Sequence, residues 1–175
     1  IKDYVDMAAH LEDVPAAKAV INFAPILLEQ LDSYAKQVAA FLREGKAIQD
    51  HLLSSLVSST LPEEPEQRII LVKACLRANE GTIINRFPCF QHLAEMANRL
   101  MAVPEDWAYV SDQYMADIVT WYHLGWMGET VRRRDPRIKA LMDKGSCFSL
   151  HDRHELMTVI SELLSGVIER YRRLA

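Results

Sequence analysis

Two adjacent segments, KAVINFA at residues 18–24 and PILLEQLDSYAKQVAAFL at residues 25–42, form the most informative part of the sequence. The first is short, apolar and partly β-branched, and prolines bound it, which favours a buried β-strand at residues 19–23. In the second, apolar residues recur at helical spacing, Pro25 suits the first position of a helix, and Gly45 suits its end. The sequence therefore predicts a strand that leads directly into a helix, and it contains no other good strand.

The rest of the chain has the apolar spacing of helices, so the predicted fold is mainly α, a helical bundle-like fragment with one strand. Gly and Pro together make only 13 of 175 residues, which argues against an all-β fold. Two parts are predicted: a helix–strand–helix piece at residues 1–45 and a helical region at residues 46–175. Asp135 and Gly145 should cap a short helix, and residues 149–152 resemble a capping box before the last one. Further helices are predicted at about residues 3–13, 48–57, 66–79, 88–104 and 114–126.

Charge and hydropathy argue against nucleic acid and membrane as partners. The chain has 20 Lys and Arg against 24 Asp and Glu, a formal net charge of −4, whereas polyanion binding depends on clustered basic residues. The longest largely apolar run, residues 20–28, contains Asn22 and Pro25 and is far shorter than the roughly 20 residues of a membrane span.

The start of the chain and its cysteines bear on its origin. The sequence begins without Met and as though inside a helix, so we expect it to be a piece of a longer polypeptide. It has no basic region followed by an apolar one, as a signal peptide would have. Three cysteines without a CxxC pattern argue against a disulfide framework, which makes a cytoplasmic location the expectation.

No strong catalytic or metal-binding pattern is found. His151 and His154 are spaced for one side of a helix turn, but zinc needs a third protein ligand, so a solvent-facing helix start is the preferred interpretation. No phosphate loop, nucleophile elbow or triad order is present. The sequence thus predicts no metal and no cofactor, and no catalytic residues within this chain.

Four residues are candidates for substrate binding. Asn22 lies near the end of the predicted strand, where β/α barrels carry their active sites, although it could equally cap the next helix or bind neighbouring backbone. Trp121, His123 and Trp126 lie within WYHLGW at residues 121–126. Aromatic rings stack on the apolar faces of sugars, so this motif could line a carbohydrate cleft, while core packing is the more common use of Trp. We expect one indole in the core and one at the cleft.

Several segments together resemble glycoside hydrolase family 57. IKDYVDM at residues 1–7 and AVINFAPILLEQL at residues 19–31 are similar to the start of that family, just after its first barrel strand, and residues 22–31 are the most specific part. Ala24 and Ile26 stand where the family usually has Val and Ser, and His123 where it often has Asn. Other matching segments, in the family's order, are RAN at 77–79, FP at 87–88, WYHLGW at 121–126, RDP at 134–136, and KG at 144–145 with Phe148.

The resemblance implies a parent enzyme that acts on α-glucans, an amylase or glucanotransferase on an incomplete barrel of seven β/α units. Its Glu nucleophile and Asp acid/base would be supplied from outside this chain, which would contribute a strand, its helix and a helical region beside the cleft. Branching or mannosidase-like specificity stays open. The alternative is a stand-alone, non-catalytic helical binding or assembly module. Because an isolated strand leaves backbone groups unpaired, residues 19–23 could also pair with a second copy of the chain.

Overall fold

The computed structural model describes residues 2–174, which form nine α-helices, a π-helical turn and a 3-10 helix. The predicted mainly α fold is therefore confirmed. The π-helical turn spans Glu80–Ile84 and the 3-10 helix Pro104–Tyr109. The α-helices are α1 Lys2–Asp13, α2 Pro25–Glu44, α3 His51–Val57, α4 Pro65–Cys75, α5 Pro88–Met101, α6 Asp112–Gly125, α7 Glu129–Arg134, α8 Pro136–Lys144 and α9 Leu150–Leu174. Ile1, where the sequence predicts a helix already under way, lies outside the described residues.

Local capping chemistry places the helix ends close to where the sequence predicts them. Pro25 is the first residue of α2, and Gly45 ends it in the left-handed conformation, with φ of 68° and its N–H donating to the Phe41 carbonyl. Asp135 accepts hydrogen bonds from the first N–H groups of α8. At the start of α9, the Ser149 N–H donates to the Asp152 carboxylate and the Asp152 N–H donates to the Ser149 hydroxyl, which confirms the capping box.

The predicted strand at residues 19–23 is wrong. These residues are extended but unpaired, Val20 is fully exposed, and no backbone hydrogen bond within residues 2–174 involves residues 18–23. A strand requires a partner edge, and no other strand exists in the described chain to provide one. The segment nevertheless keeps the side-chain alternation of a strand, because Ala19, Ile21 and Phe23 turn toward α9 while Val20 points to solvent.

Helices α6 and α9 are the centre of the packing. Helix α6 is buried around most of its circumference and contacts α3, α4 and α5, whereas α9 contacts α1, α2, α3 and α8. The two helices of the first predicted part, α1 and α2, thus pack on a helix of the second. None of the helices described is long and apolar enough to span a membrane.

Candidate functional site

A cavity of about 380 Å³ opens between α2, α3, α6 and α9, with the start of α1 at its rim. We call it the aromatic cavity. Leucine and isoleucine side chains of α2, α3 and α9 form its apolar floor. Most binding cavities combine such a floor with a few polar groups. Besides Lys2 and Asp3 at the rim, the polar and aromatic side chains of its wall are Gln30, Tyr34, Asp50, Tyr122, His123 and Trp126.

Trp126 and Tyr122 supply the aromatic part of the wall. Trp126 is the residue that follows α6, and Tyr122 lies one turn earlier, so the two rings meet edge to face with centroids 6.5 Å apart. Trp126 is 42% exposed although it borders the cavity. A large ring that is only half covered by its own protein is available to stack against a ligand.

Asp50 and Tyr34 supply hydrogen-bond acceptors to the wall. Asp50 caps α3, where one carboxylate oxygen accepts from the Leu53 N–H at 2.9 Å. The Tyr34 hydroxyl of α2 donates to the other carboxylate oxygen at 3.1 Å. Burial and the neighbouring Asp50 charge raise the pKa of Tyr34, so its hydroxyl stays protonated at neutral pH.

His123 is a neutral group in the floor of the cavity. Its Nε2 lies 3.2 Å from the Leu52 carbonyl oxygen, which can only accept, so Nε2 carries the proton and Nδ1 is an acceptor. Burial lowers the pKa of His123 to about 4. The imidazole is therefore uncharged at neutral pH and links α6 to α3.

Asp6 fixes the backbone beside Trp126. Its carboxylate accepts hydrogen bonds from the N–H groups of Glu129 and Thr130, at 2.7 and 2.9 Å, and from the Thr130 hydroxyl. It thus caps α7 from a distant part of the chain, and it holds Gly128 at the cavity rim. A Cβ on Gly128 would lie 2.7 Å from the Asp6 carboxylate, so only glycine fits this approach without movement.

The structure brings together two of the four candidate binding residues. His123 and Trp126 line the aromatic cavity. Trp121 is buried between Phe87 and Phe148, and its indole N–H donates to the Gly145 carbonyl at 2.7 Å. Asn22 is exposed in the extended segment and lies outside the wall of the cavity.

Sequence reasoning missed the acceptor pair and Gln30. Gln30 and Tyr34 are four residues apart, and the helical spacing of residues 25–42 indicates that they share a face of α2, but it does not indicate that this face borders a cavity. Asp50 precedes a helix in a position typical of an N-cap, but its contact with Tyr34 joins residues 16 apart in the sequence. No local pattern predicts that contact.

Other features are less suited to binding. The Nε2–H of His154 donates to the Val57 carbonyl within the helical packing, whereas His151 is exposed. No group of three or more metal-ligating side chains occurs in residues 2–174. A second cavity, of about 680 Å³, lies under the extended segment. Glu12, Arg170 and Arg173 are its charged side chains, and two of them, Arg170 and Glu12, are paired with each other at 2.6 Å.

Comparisons of the chain with protein-family models, with curated proteins and with solved structures find no match.

Proposed function

We propose that this chain is the helical part of a retaining glycoside hydrolase or transglycosylase that acts on α-glucans, and that it supplies scaffold and an aromatic wall of the glucan cleft. The observation that carries the proposal is the half-exposed Trp126 beside the acceptors Asp50 and Tyr34 in one cavity. A pyranose ring has apolar faces of C–H groups and an equatorial rim of hydroxyls. An exposed indole and a row of acceptors match these two surfaces.

The extended segment supports the same proposal. Residues 18–23 have unpaired backbone groups on both edges and strand-like alternation of side chains, which suits a strand of a larger sheet. A parent barrel would supply the neighbouring strands, and α2 would follow its strand directly, as in a β/α unit.

The chain by itself should not hydrolyse glycosidic bonds. Retaining chemistry needs two carboxyl groups about 5 Å apart, one as nucleophile and one as acid/base. Asp3 and Asp50 line the aromatic cavity, but Asp3 is paired with Lys2 at the rim and Asp50 is held by Tyr34 and the α3 backbone. The parent must therefore supply the reacting carboxyls from other segments.

The test compares the chain, its variants and the parent polypeptide on maltooligosaccharides. By calorimetry, maltotriose should bind the chain weakly, and Trp126→Ala should weaken binding about three- to tenfold, the equivalent of about 0.5–1.5 kcal/mol for one stacked ring. Tyr109→Ala is the matched control, because Tyr109 is 88% exposed and lies outside the cavity wall. Only the parent should release sugar. Hydrolysis by the chain alone would contradict the conclusion that the reacting carboxyls lie in other segments. A parent without activity on α-glucans would contradict the proposal as a whole and favour a stand-alone, non-catalytic binding module.

A further inference from the structure

We infer that the Tyr34–Asp50 pair selects the ligand of the aromatic cavity: it binds the hydroxyls of a neutral sugar and rejects a sugar that carries a carboxylate. The inference rests on the proposed function, because it concerns the same cavity. It adds the residues that determine specificity and the charge class of the ligand.

The hydrogen bonds of the pair leave acceptors but no donor for a ligand. The only hydroxyl proton of Tyr34 goes to one oxygen of Asp50, and the other oxygen is occupied on one side by the Leu53 N–H. Each carboxylate oxygen can accept two hydrogen bonds, and the Tyr34 oxygen can also accept. Free acceptor positions therefore remain on both residues. A group that binds here must donate, as sugar hydroxyls do and a carboxylate does not.

The charge around the pair points in the same direction. Lys2 and Asp3 at the rim of the cavity neutralise each other in an ion pair. No Lys or Arg of residues 2–174 forms an ion pair with Asp50, and His123 nearby is neutral at pH 7. The lining thus keeps one negative charge, which attracts hydroxyl donors and repels an anionic ligand.

Variants can separate the binding role of Asp50 from its capping role. Asn caps helices as well as Asp does, so Asp50→Asn should keep α3 intact while it removes the charge and introduces an amide donor. Tyr34→Phe removes the hydroxyl and leaves the ring. Asp32→Asn is the matched control, because Asp32 lies on the same helix as Tyr34, pairs with Lys36 and does not border the cavity.

Calorimetry with two trisaccharides tests the inference. One is maltotriose, and the other is maltotriose with its terminal hydroxymethyl group oxidised to a carboxylate. The unmodified chain and Asp32→Asn should prefer maltotriose about tenfold or more, and Asp50→Asn should reduce that preference to about threefold or less. Tyr34→Phe should weaken maltotriose binding about two- to fivefold.

The outcomes distinguish the two proposals. If the unmodified chain does not bind maltotriose at all, the proposed function fails, and this inference fails with it. If the chain binds maltotriose through Trp126 but Asp50→Asn keeps the full preference, only the inference is overturned. If Asp50→Asn does not fold, unchanged maltotriose binding by a folded Tyr34→Phe variant overturns it instead.

Discussion

Replacement of Asp6 by Ala should loosen the segment that carries Trp126. Asp6 lies in α1, and its three hydrogen bonds reach Glu129 and Thr130 at the start of α7, more than 120 residues away in the sequence. Gly128 at the N-cap of α7 has no side chain to cap the helix, and within residues 2–174 Asp6 is the side chain that accepts from its first N–H groups. Asp6→Ala therefore leaves the first N–H groups of α7 without their partner.

The expected loss of stability is about 2–4 kcal/mol. Loss of an N-cap costs about 0.5–2 kcal/mol, and a hydrogen bond to a charged group contributes about 1.5–3 kcal/mol. Because Asp6 is only partly buried, water can replace some of the hydrogen bonds that its carboxylate accepts, which reduces the expected loss. For a chain of this size, that loss should lower Tm by about 5–12 °C. Asp6→Asn, which keeps one acceptor oxygen, should cost less than Asp6→Ala.

The pH dependence gives an independent check. Burial alone would raise the pKa of Asp6, but the hydrogen bonds from Thr130 and Glu129 outweigh it and lower the pKa below its ordinary value of 3.8. A carboxyl whose pKa is lower in the folded state stabilises the protein above its unfolded pKa and loses that effect as the pH falls through the folded value. The difference in free energy of unfolding between the unmodified chain and Asp6→Asn should therefore be constant above about pH 5 and become smaller toward pH 3.

Urea unfolding at several pH values, monitored by far-ultraviolet circular dichroism, measures both the loss of stability and its dependence on pH. Asp3→Ala is the matched control, because Asp3 is on the same helix and its side chain is 85% exposed. If the free energy of unfolding of Asp6→Ala lies within about 0.5 kcal/mol of that of the unmodified chain at pH 7, the range typical of surface substitutions, the three hydrogen bonds do not stabilise the fold. If the difference in free energy of unfolding between the unmodified chain and Asp6→Asn does not change below pH 4, the Asp6 carboxylate has no lowered pKa in the folded state.

Three further predictions follow from the packing and from the extended segment. Trp121→Ala should lower the free energy of unfolding in urea by about 3–5 kcal/mol, because its indole is buried and hydrogen-bonded, whereas Trp126→Ala should lower it by less than about 1.5 kcal/mol. Equal losses would contradict the different burial of the two rings. Gly128→Ala should lower stability by about 1–3 kcal/mol, since its Cβ would press on the Asp6 carboxylate, and a Tm equal to that of the unmodified chain would disprove the close approach. If residues 19–23 pair with a second copy of the chain, light scattering should show dimers. Val20→Pro should abolish these dimers because it removes a backbone hydrogen-bond donor. A strict monomer in which residues 19–23 are protected from hydrogen exchange would argue against such pairing.

Local sequence was sufficient to predict most of the α-helices and several of their ends, although the short helix α7 has no counterpart among the predicted ranges. Pro25, Gly45, Asp135 and the Ser149–Asp152 pair act through groups a few residues away, so the local sequence is sufficient to predict them. Several predicted ends differ from the structure: α3 begins at His51 rather than near residue 48, and α5 ends at Met101 rather than near residue 104. The helix expected to reach residue 79 ends at Cys75, and the Asn79 side chain accepts from the Thr82 N–H and caps the π-helical turn that follows.

Features that depend on contacts between residues far apart in the sequence could be identified only from the tertiary structure. Residues 19–23 have the composition of a strand, but a strand exists only where a second edge accepts its hydrogen bonds, and the described chain contains none. Trp121 lies in α6, and Trp126 is the residue that follows this helix. Phe87 and Phe148 pack against Trp121 and bury it, whereas Trp126 remains about half exposed. The pairing of Asp50 with Tyr34 likewise arises where α2 and α3 meet, because hydrogen bonds and burial depend on separation in space rather than along the chain.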